Sequence, residues 1–159
     1  MIDELILRLA TRDDAPAIAS LSRDRIEQGL GWSWTAPRVM RSIRDHETNV
    51  LVARQGAASL GFGIMKYHDD EAHLLLLAVR TECSRRGVGR AMMGWLERVA
   101  MVAGVGQVVL EARASNGGAR AFYARLGYRE VQQVSGYYQG REACVRLAKD
   151  LRLQPADAA

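Results

Sequence analysis

Cysteine is scarce in this chain: Cys83 and Cys144 are the only two among 159 residues, with no CxxC pair and no Cys/His cluster. That pattern excludes the usual structural zinc frameworks. One disulfide is open on count alone, and two free thiols in a reducing compartment is the simpler reading. Long apolar runs are also missing. The purest, Leu74 to Val79, has six residues, against the ~20 that a membrane-spanning helix needs. The opening MIDELILRLATRDD carries acidic residues early and no extended apolar core, so it does not read as a secretory leader. The expectation is a cytoplasmic protein with no membrane partner. No segment interleaves aromatic and basic residues along one face, which speaks against a nucleic-acid binder. No internal repeat or low-complexity tract is found.

What is present is ordinary globular composition, 48% hydrophobic and 25% charged, enough for one domain with a real core. The net charge of +4 is mild and compatible with an anionic ligand. Residues 1–151 are expected to form that domain, with residues 152–159 as a frayed tail.

Hydrophobic periodicity orders the elements. Leu5 to Ala10 alternates like a strand. Thr11 and Asp14 have capping-box spacing before a helix from Ala15 to about Gln28, burying Ile18, Leu21 or Ser22, and Ile26. Thr35 caps a second helix, with Pro37 in its first turn and Val39, Met40 and Ile43 on one face. Asn49–Arg54 and Leu60–Tyr67 read as strands. Ala72–Val79 is apolar throughout except at His73, as a central strand covered on both faces would be. Val88, Met92, Leu96, Val99 and Ala103 mark an amphipathic helix. Val108–Ala112 is a strand, Asn116–Leu126 a helix, and Tyr128–Val134 and Arg141–Leu147 a final strand pair. The order β-α-α-β-β-β-α-β-α-β-β implies a mixed sheet with helices on both faces, in the α/β (α+β) class.

The turn between the apolar strand and the third helix carries the chemistry. Ser84-Arg85-Arg86-Gly87-Val88-Gly89-Arg90 places glycines and arginines at a helix N-terminus. First-turn N–H groups and the helix dipole favour anions there, and glycine lets a ligand approach the backbone. Met92 stands where G-x-G-x-x-G requires a third glycine, and no G-K-[ST] follows, so this is neither a dinucleotide fingerprint nor a P-loop. On the turn alone, an anion site and a plain strand-to-helix turn with solvated arginines both stay open.

The stretch HLLLLAVRTECSRRGVGRAMMGWLE, followed by VVLEARASNGGARAFYARLGYREV, resembles the GNAT superfamily of acetyltransferases. Residues 84–89 fall on its [Gln/Arg]-x-x-Gly-x-[Gly/Ala] signature, with Ser84 replacing the usual Gln or Arg. The resemblance runs from LRLATRDDAPAIASL to GREACVRL and is strongest over residues 72–138. It implies a mostly antiparallel sheet of about seven strands with four helices on both faces. It also implies acetyl-CoA as co-substrate, no metal, and an amine-bearing acceptor, either a peptide or a small molecule. Homodimers are common in the family. Residues Ser84, Arg85, Arg86, Gly87, Val88, Gly89 and Arg90 would cradle the pyrophosphate. Leu77, Ala78 and Val79 would pair with the pantetheine arm, a backbone N–H there polarising the thioester carbonyl. Asn116, Ala119 and Tyr123 would face the CoA from the other side.

Amine acetylation needs a base for the amine proton and an acid for the departing thiolate. The resemblance makes Tyr123 the acid. LEARASN is similar to a segment of the acetyltransferases that modify ribosomal-protein N-termini, and makes Glu111 the base. His73 is its rival, since histidine changes charge near neutrality. Tyr137 and Tyr138 resemble the acceptor-side loop of the same group. Trp32 and Trp34 stand where they would line the acceptor entrance or anchor their loop. Glu27 and the acidic turn at residues 68–71 are candidates for attracting a cationic acceptor. The competing reading is a catalytically weak acyl-CoA-binding regulatory domain of the same fold.

Overall fold

The computed structural model describes residues 4–83, 86–138 and 142–153. Seven strands and four α-helices follow in the expected order: β1 (Leu5–Leu9), α1 (Ala15–Arg25), α2 (Ala36–Arg44), β2 (Thr48–Gln55), β3 (Ala58–Tyr67), β4 (Glu71–Val79), α3 (Val88–Val102), β5 (Gln107–Arg113), α4 (Gly117–Arg125), β6 (Arg129–Tyr138) and β7 (Glu142–Asp150). The strands hydrogen-bond in the order β1-β2-β3-β4-β5-β7-β6. β1 with β2, β2 with β3, β5 with β7 and β6 with β7 pair antiparallel, while β4 with β5 is parallel from Glu71↔Gln107 to Leu74↔Leu110. Among the described residues no helix is long and apolar enough to cross a membrane.

Two compact units divide the chain. One runs to Lys66 and includes Leu75–Leu96; the other takes Tyr67–Leu74 and the chain from Glu97 onward.

In the first unit, α1 and α2 pack Ala15, Ile18, Ala19 and Val39 onto Val50, Val52, Phe62, Ile64, Leu76 and Ala78. Alternation then turns Gly61 and Gly63 to the opposite face, where α3 lies. A Cβ on Gly61 would stand 2.5 Å from the Ala78 carbonyl and 3.2 Å from Met92. Asp14 begins α1 in the expected way. Its carboxylate accepts the Thr11 N–H at 2.8 Å and two bonds from Arg8, at 2.8 and 3.2 Å. The hydrogen bond from Arg8 outweighs burial and holds the Asp14 carboxyl below its ordinary range.

Three expectations are corrected. α1 ends at Arg25 rather than near Gln28, because the Ile26 and Glu27 N–H groups both turn back to the Ser22 carbonyl. β4 is not covered equally on both faces: Ala72, Leu74, Leu76 and Ala78 are buried, while His73, Leu75, Leu77 and Val79 are half-buried. Order also extends past Leu147, through β7 to a 3-10 turn at Leu151–Leu153. There Leu151 is buried and its N–H donates to the Gly106 carbonyl. Residues 154–159 lie outside the described residues.

Glu27 is also corrected: it attracts no cation from solvent, because it is buried and fully engaged. It accepts the Ser22 hydroxyl, the Ser33 N–H and hydroxyl, and the Trp34 N–H, at 2.6 to 3.3 Å. Burial alone would raise this carboxyl; the donors win and hold it below its ordinary range. Replacing Glu27 with alanine strands those donors and is expected to cost about 3 kcal/mol. A carboxyl whose folded pKa is depressed contributes stability above its unfolded pKa and loses it as pH falls through the folded one. Denaturation of the natural chain and Glu27→Ala should therefore differ fully at neutral pH, with the gap closing below about pH 4.3. An unchanged gap at pH 3 would contradict the ionised role.

Candidate active site

The first unit supplies the turn expected to meet an anion. β4 leads through a 3-10 turn at Thr81–Cys83 to Gly87, whose φ is +82° and around which an added Cβ would meet nothing within 4 Å. Arg86 and Arg90 are exposed on either side of it, and Val88 is buried. The Gly87 carbonyl accepts the Ala91 N–H at 2.9 Å, closing the first turn of α3. Bare backbone, open space and positive charge thus meet at a helix N-terminus, as a phosphate requires. Ser84 and Arg85 lie outside the described residues. Upstream, the Val79 carbonyl accepts Arg25 Nε at 3.2 Å.

The two tryptophans separate. Trp34 is buried in the core, with Arg38 stacked 3.9 Å over its ring. Trp32 is exposed, and its indole N–H donates to the Ala19 carbonyl at 3.3 Å. Their loop is therefore anchored by Trp34 and Glu27, and presents Trp32. A hollow of about 280 Å3 in this unit is lined by Asp24, Arg25, Ser59, Arg80 and Glu82 among others. It contains none of the expected catalytic residues, and its mixed charges assign it no role.

The second unit brings the two rival bases together. His73 registers beside Val109 on β5, so Glu111, two residues on, shares its face. The His73 Nε2 lies 2.7 Å from Glu111 Oε1. Arg146, directly opposite Glu111 on β7, donates from Nε to Oε2 at 3.0 Å and from a terminal nitrogen to Gln132 at 3.1 Å. A register shift between Glu130 and Gln132 turns Gln132 toward Arg146. The Glu111 side chain is only 9% exposed. Burial pushes its carboxyl up, but His73 and then Arg146, by hydrogen bond and charge, outweigh that and hold it below its ordinary range. Arg113, the nearer arginine in sequence, pairs with Glu142 instead. On the same face, Cys144 is buried and its thiol is pushed up by burial and by Glu111.

Tyr123 does not join this pair. It is buried, with its ring edge-on to Phe122 and to Tyr128 at centroid distances of 5.0 and 5.6 Å. The Tyr128 hydroxyl donates to Glu97 Oε2 at 2.8 Å, and Lys149 Nζ donates to Oε1 at 2.8 Å. Burial first, and the Glu97 charge second, keep the Tyr128 phenol protonated far beyond its ordinary range. Lys149 sits over the Tyr128 ring. Because Arg146 and Lys149 are three residues apart on β7, they point to opposite faces. Within this unit the candidate acid and the His73–Glu111 pair therefore belong to opposite faces.

Asn116 caps α4, its side-chain oxygen accepting the Ala119 N–H at 3.0 Å. Tyr137 and Tyr138 close β6, with Tyr138 in register with Glu142. The Arg146–Gln132 contact beside Glu111 and the Glu97–Lys149 pair were not legible in the sequence. Their only sequence signal is a charged or amide side chain inside a strand or helix pattern. Among the described residues no group of three or more His, Cys, Asp or Glu side chains is placed to hold a metal.

Among the described residues, the first unit thus offers an open, positively charged turn and the second a paired imidazole and carboxylate. The family model described as Acetyltransferase (GNAT) family matches residues 14–128, and the chain belongs to that family. The [Ribosomal protein bS18]-alanine N-acetyltransferase of Escherichia coli K12 is 36% identical over 125 residues, 77% of this chain and 84% of that protein. An uncharacterised N-acetyltransferase of Methanocaldococcus jannaschii is 38% identical over 78 residues; the match covers 48% of this chain and half the length of that relative. The crystal structure of the ribosomal-protein-S18-alanine N-acetyltransferase from Escherichia coli superposes with a TM-score of 0.80 at 27% identity, covering 93% of this chain and 94% of the other. The PaiA N-acetyltransferase of Thermoplasma acidophilum, in complex with coenzyme A, gives a TM-score of 0.79 at 15% identity, covering 92% and 99%, a likeness of fold.

Proposed function

We propose that this chain transfers the acetyl group of acetyl-CoA to a primary amine by direct attack on the thioester, and that the favoured acceptor is the α-amine of a peptide. The observation that carries the catalytic reading is the 2.7 Å contact between His73 and the mostly buried Glu111. A part-exposed imidazole held on a mostly buried carboxylate is the arrangement a general base uses, and it supports the enzyme over a domain that only binds. The peptide acceptor is supported by the 36% identity to an enzyme named for a ribosomal-protein alanine.

In this reading the backbone of residues 85–90 holds the pyrophosphate, with Arg86 and Arg90 adding charge. Leu77 to Val79 pair with the pantetheine arm, and a backbone N–H there meets the oxyanion as charge develops. Asn116 and Ala119 are the candidates on α4 for contact with CoA, and Trp32, Tyr137 and Tyr138 are the candidates for contact with the acceptor. The amine proton passes to the His73–Glu111 pair, the nitrogen attacks the carbonyl carbon, and the C–S bond breaks as Tyr123 protonates the thiolate.

The test is a panel of acceptors incubated with acetyl-CoA: peptides with free α-amines, the same peptides α-blocked but carrying lysine, a polyamine and an aminoglycoside. Released thiol and product mass are read. Acetylation of the free α-amine peptides is expected. Thiol release with none of them, by a chain that still binds acetyl-CoA, would favour the regulatory alternative. Tyr123→Phe is expected to lower turnover at saturating substrates by about 100-fold without changing acetyl-CoA affinity. Unchanged turnover would remove Tyr123 from the acid role.

A further inference from the structure

Glu111 is engaged from two sides, by His73 on β4 and by Arg146 on β7. A carboxylate in that position is a poor proton acceptor, since every proton it took would cost both contacts. Its depressed pKa agrees with that. An ionised carboxylate only accepts hydrogen bonds, so the His73 nitrogen facing it, Nε2, carries the proton in the neutral ring. The lone pair is then on Nδ1. His73 keeps 29% of its side chain exposed, against 9% for Glu111, so the imidazole is the partner that an acceptor amine can reach.

We propose that His73 Nδ1, not Glu111, takes the proton from the acceptor amine, and that Arg146 and Glu111 are positioning residues that make it do so. This deepens the transferase reading above and rests on it. The nitrogen's proton moves to Nδ1, the N–C bond forms, and the C–S bond breaks with the thiolate protonated from elsewhere. The imidazolium stays paired with the Glu111 carboxylate until its proton passes to water after product leaves. Arg146 keeps Glu111 ionised and in place, and Gln132 holds Arg146 at 3.1 Å. Among the described residues, Glu111 on β5 pairs with His73, Arg146 and Cys144 on β7 interact with Glu111, and Glu71 lies two residues before His73 on β4. Glu71 is tied to the Gln107 side chain at 3.2 Å.

The experiment uses the full chain in two arms. Nitrogen NMR of the ring, without acceptor, reads the tautomer of His73. The pH dependence of kcat and kcat/KM is read with whichever peptide or amine of the acceptor panel the natural chain acetylates. The Nε2–H tautomer is expected. Glu111→Gln should move the acidic limb of kcat/KM to lower pH, because it removes the negative charge that an imidazolium would pair with. Arg146→Met should move that limb to higher pH, because it removes a nearby positive charge. His73→Gln should reduce kcat by about 100-fold with acetyl-CoA KM unchanged and the acidic limb abolished. An Nδ1–H tautomer would overturn the proposal. So would a His73→Gln enzyme with natural kcat and a natural acidic limb while Glu111→Gln is inactive. A natural chain that acetylates nothing on the panel would instead overturn the transferase reading on which this one rests.

Discussion

Gly87→Trp is expected to weaken acetyl-CoA binding by about 100-fold or more, since it removes close backbone bonds to phosphate that are worth about 1.5–3 kcal/mol each. The same substitution at Gly104 is the matched control. Both glycines have φ just above +80°, and an added Cβ at either would meet nothing within 4 Å. Each replacement therefore carries the same left-handed strain, about 1–2 kcal/mol, and at neither position does the Cβ itself meet the protein. They differ in place: Gly87 precedes the N-terminus of α3, and Gly104 follows its C-terminus. Only the first adjoins N–H groups and the positive dipole end. Equilibrium binding of acetyl-CoA to the two variants, with their denaturation midpoints, separates strain from site. Equal affinities would show that the turn is not the anion site.

Glu97→Ala is expected to cost about 3–5 kcal/mol, the usual penalty for breaking a buried ion pair and leaving one charge behind. The stranded groups would be the Lys149 ammonium, with 14% of its side chain exposed, and the Tyr128 hydroxyl. Replacing both charged partners together, Glu97→Met with Lys149→Met, is expected to recover most of that loss, because the desolvation penalty disappears with the charges. The recovery should not extend to turnover. Tyr128 holds its ring edge-on to Tyr123, and without Glu97 its hydroxyl loses the bond that sets it. Urea denaturation of the single and double variants tests the energetic part. A loss under 1 kcal/mol for Glu97→Ala would contradict it.

Element order was legible because burial periodicity is local. α3 shows its buried face in the spacing of Val88, Met92 and Leu96 alone, and Thr11 with Asp14 announces α1 before any contact is known. The candidate site was legible only where it is local too. Gly87 and its arginines sit in one turn, and its positive φ is what a glycine before a helix invites. Glu111 and His73 were each visible as candidates, yet they stood as rivals because their contact spans 38 residues. Arg146 was not visible at all. Only the β5–β7 register puts it opposite Glu111, and a shift of one residue would turn it to the other face. The Glu97–Lys149 pair, 52 residues apart, was hidden for the same reason. Glu27 misled because a carboxylate near a helix end is usually solvated. Nothing local reveals that Ser33 and Trp34 fold back onto it. Tyr123 lies twelve residues from Glu111 in sequence, but strand alternation and the Asn116-capped turn send it to the opposite face.

Whether the β4–α3 turn holds acetyl-CoA is tested most directly by thermal melting with and without it. Acetyl-CoA at about 100 times its dissociation constant adds roughly 2.7 kcal/mol of stability. For a chain of this length that is a rise of about 5–10 °C in melting temperature. The account predicts that rise in the natural chain and in Gly104→Trp, and its absence in Gly87→Trp. A melting temperature that stays flat as acetyl-CoA is raised to millimolar concentration would contradict it.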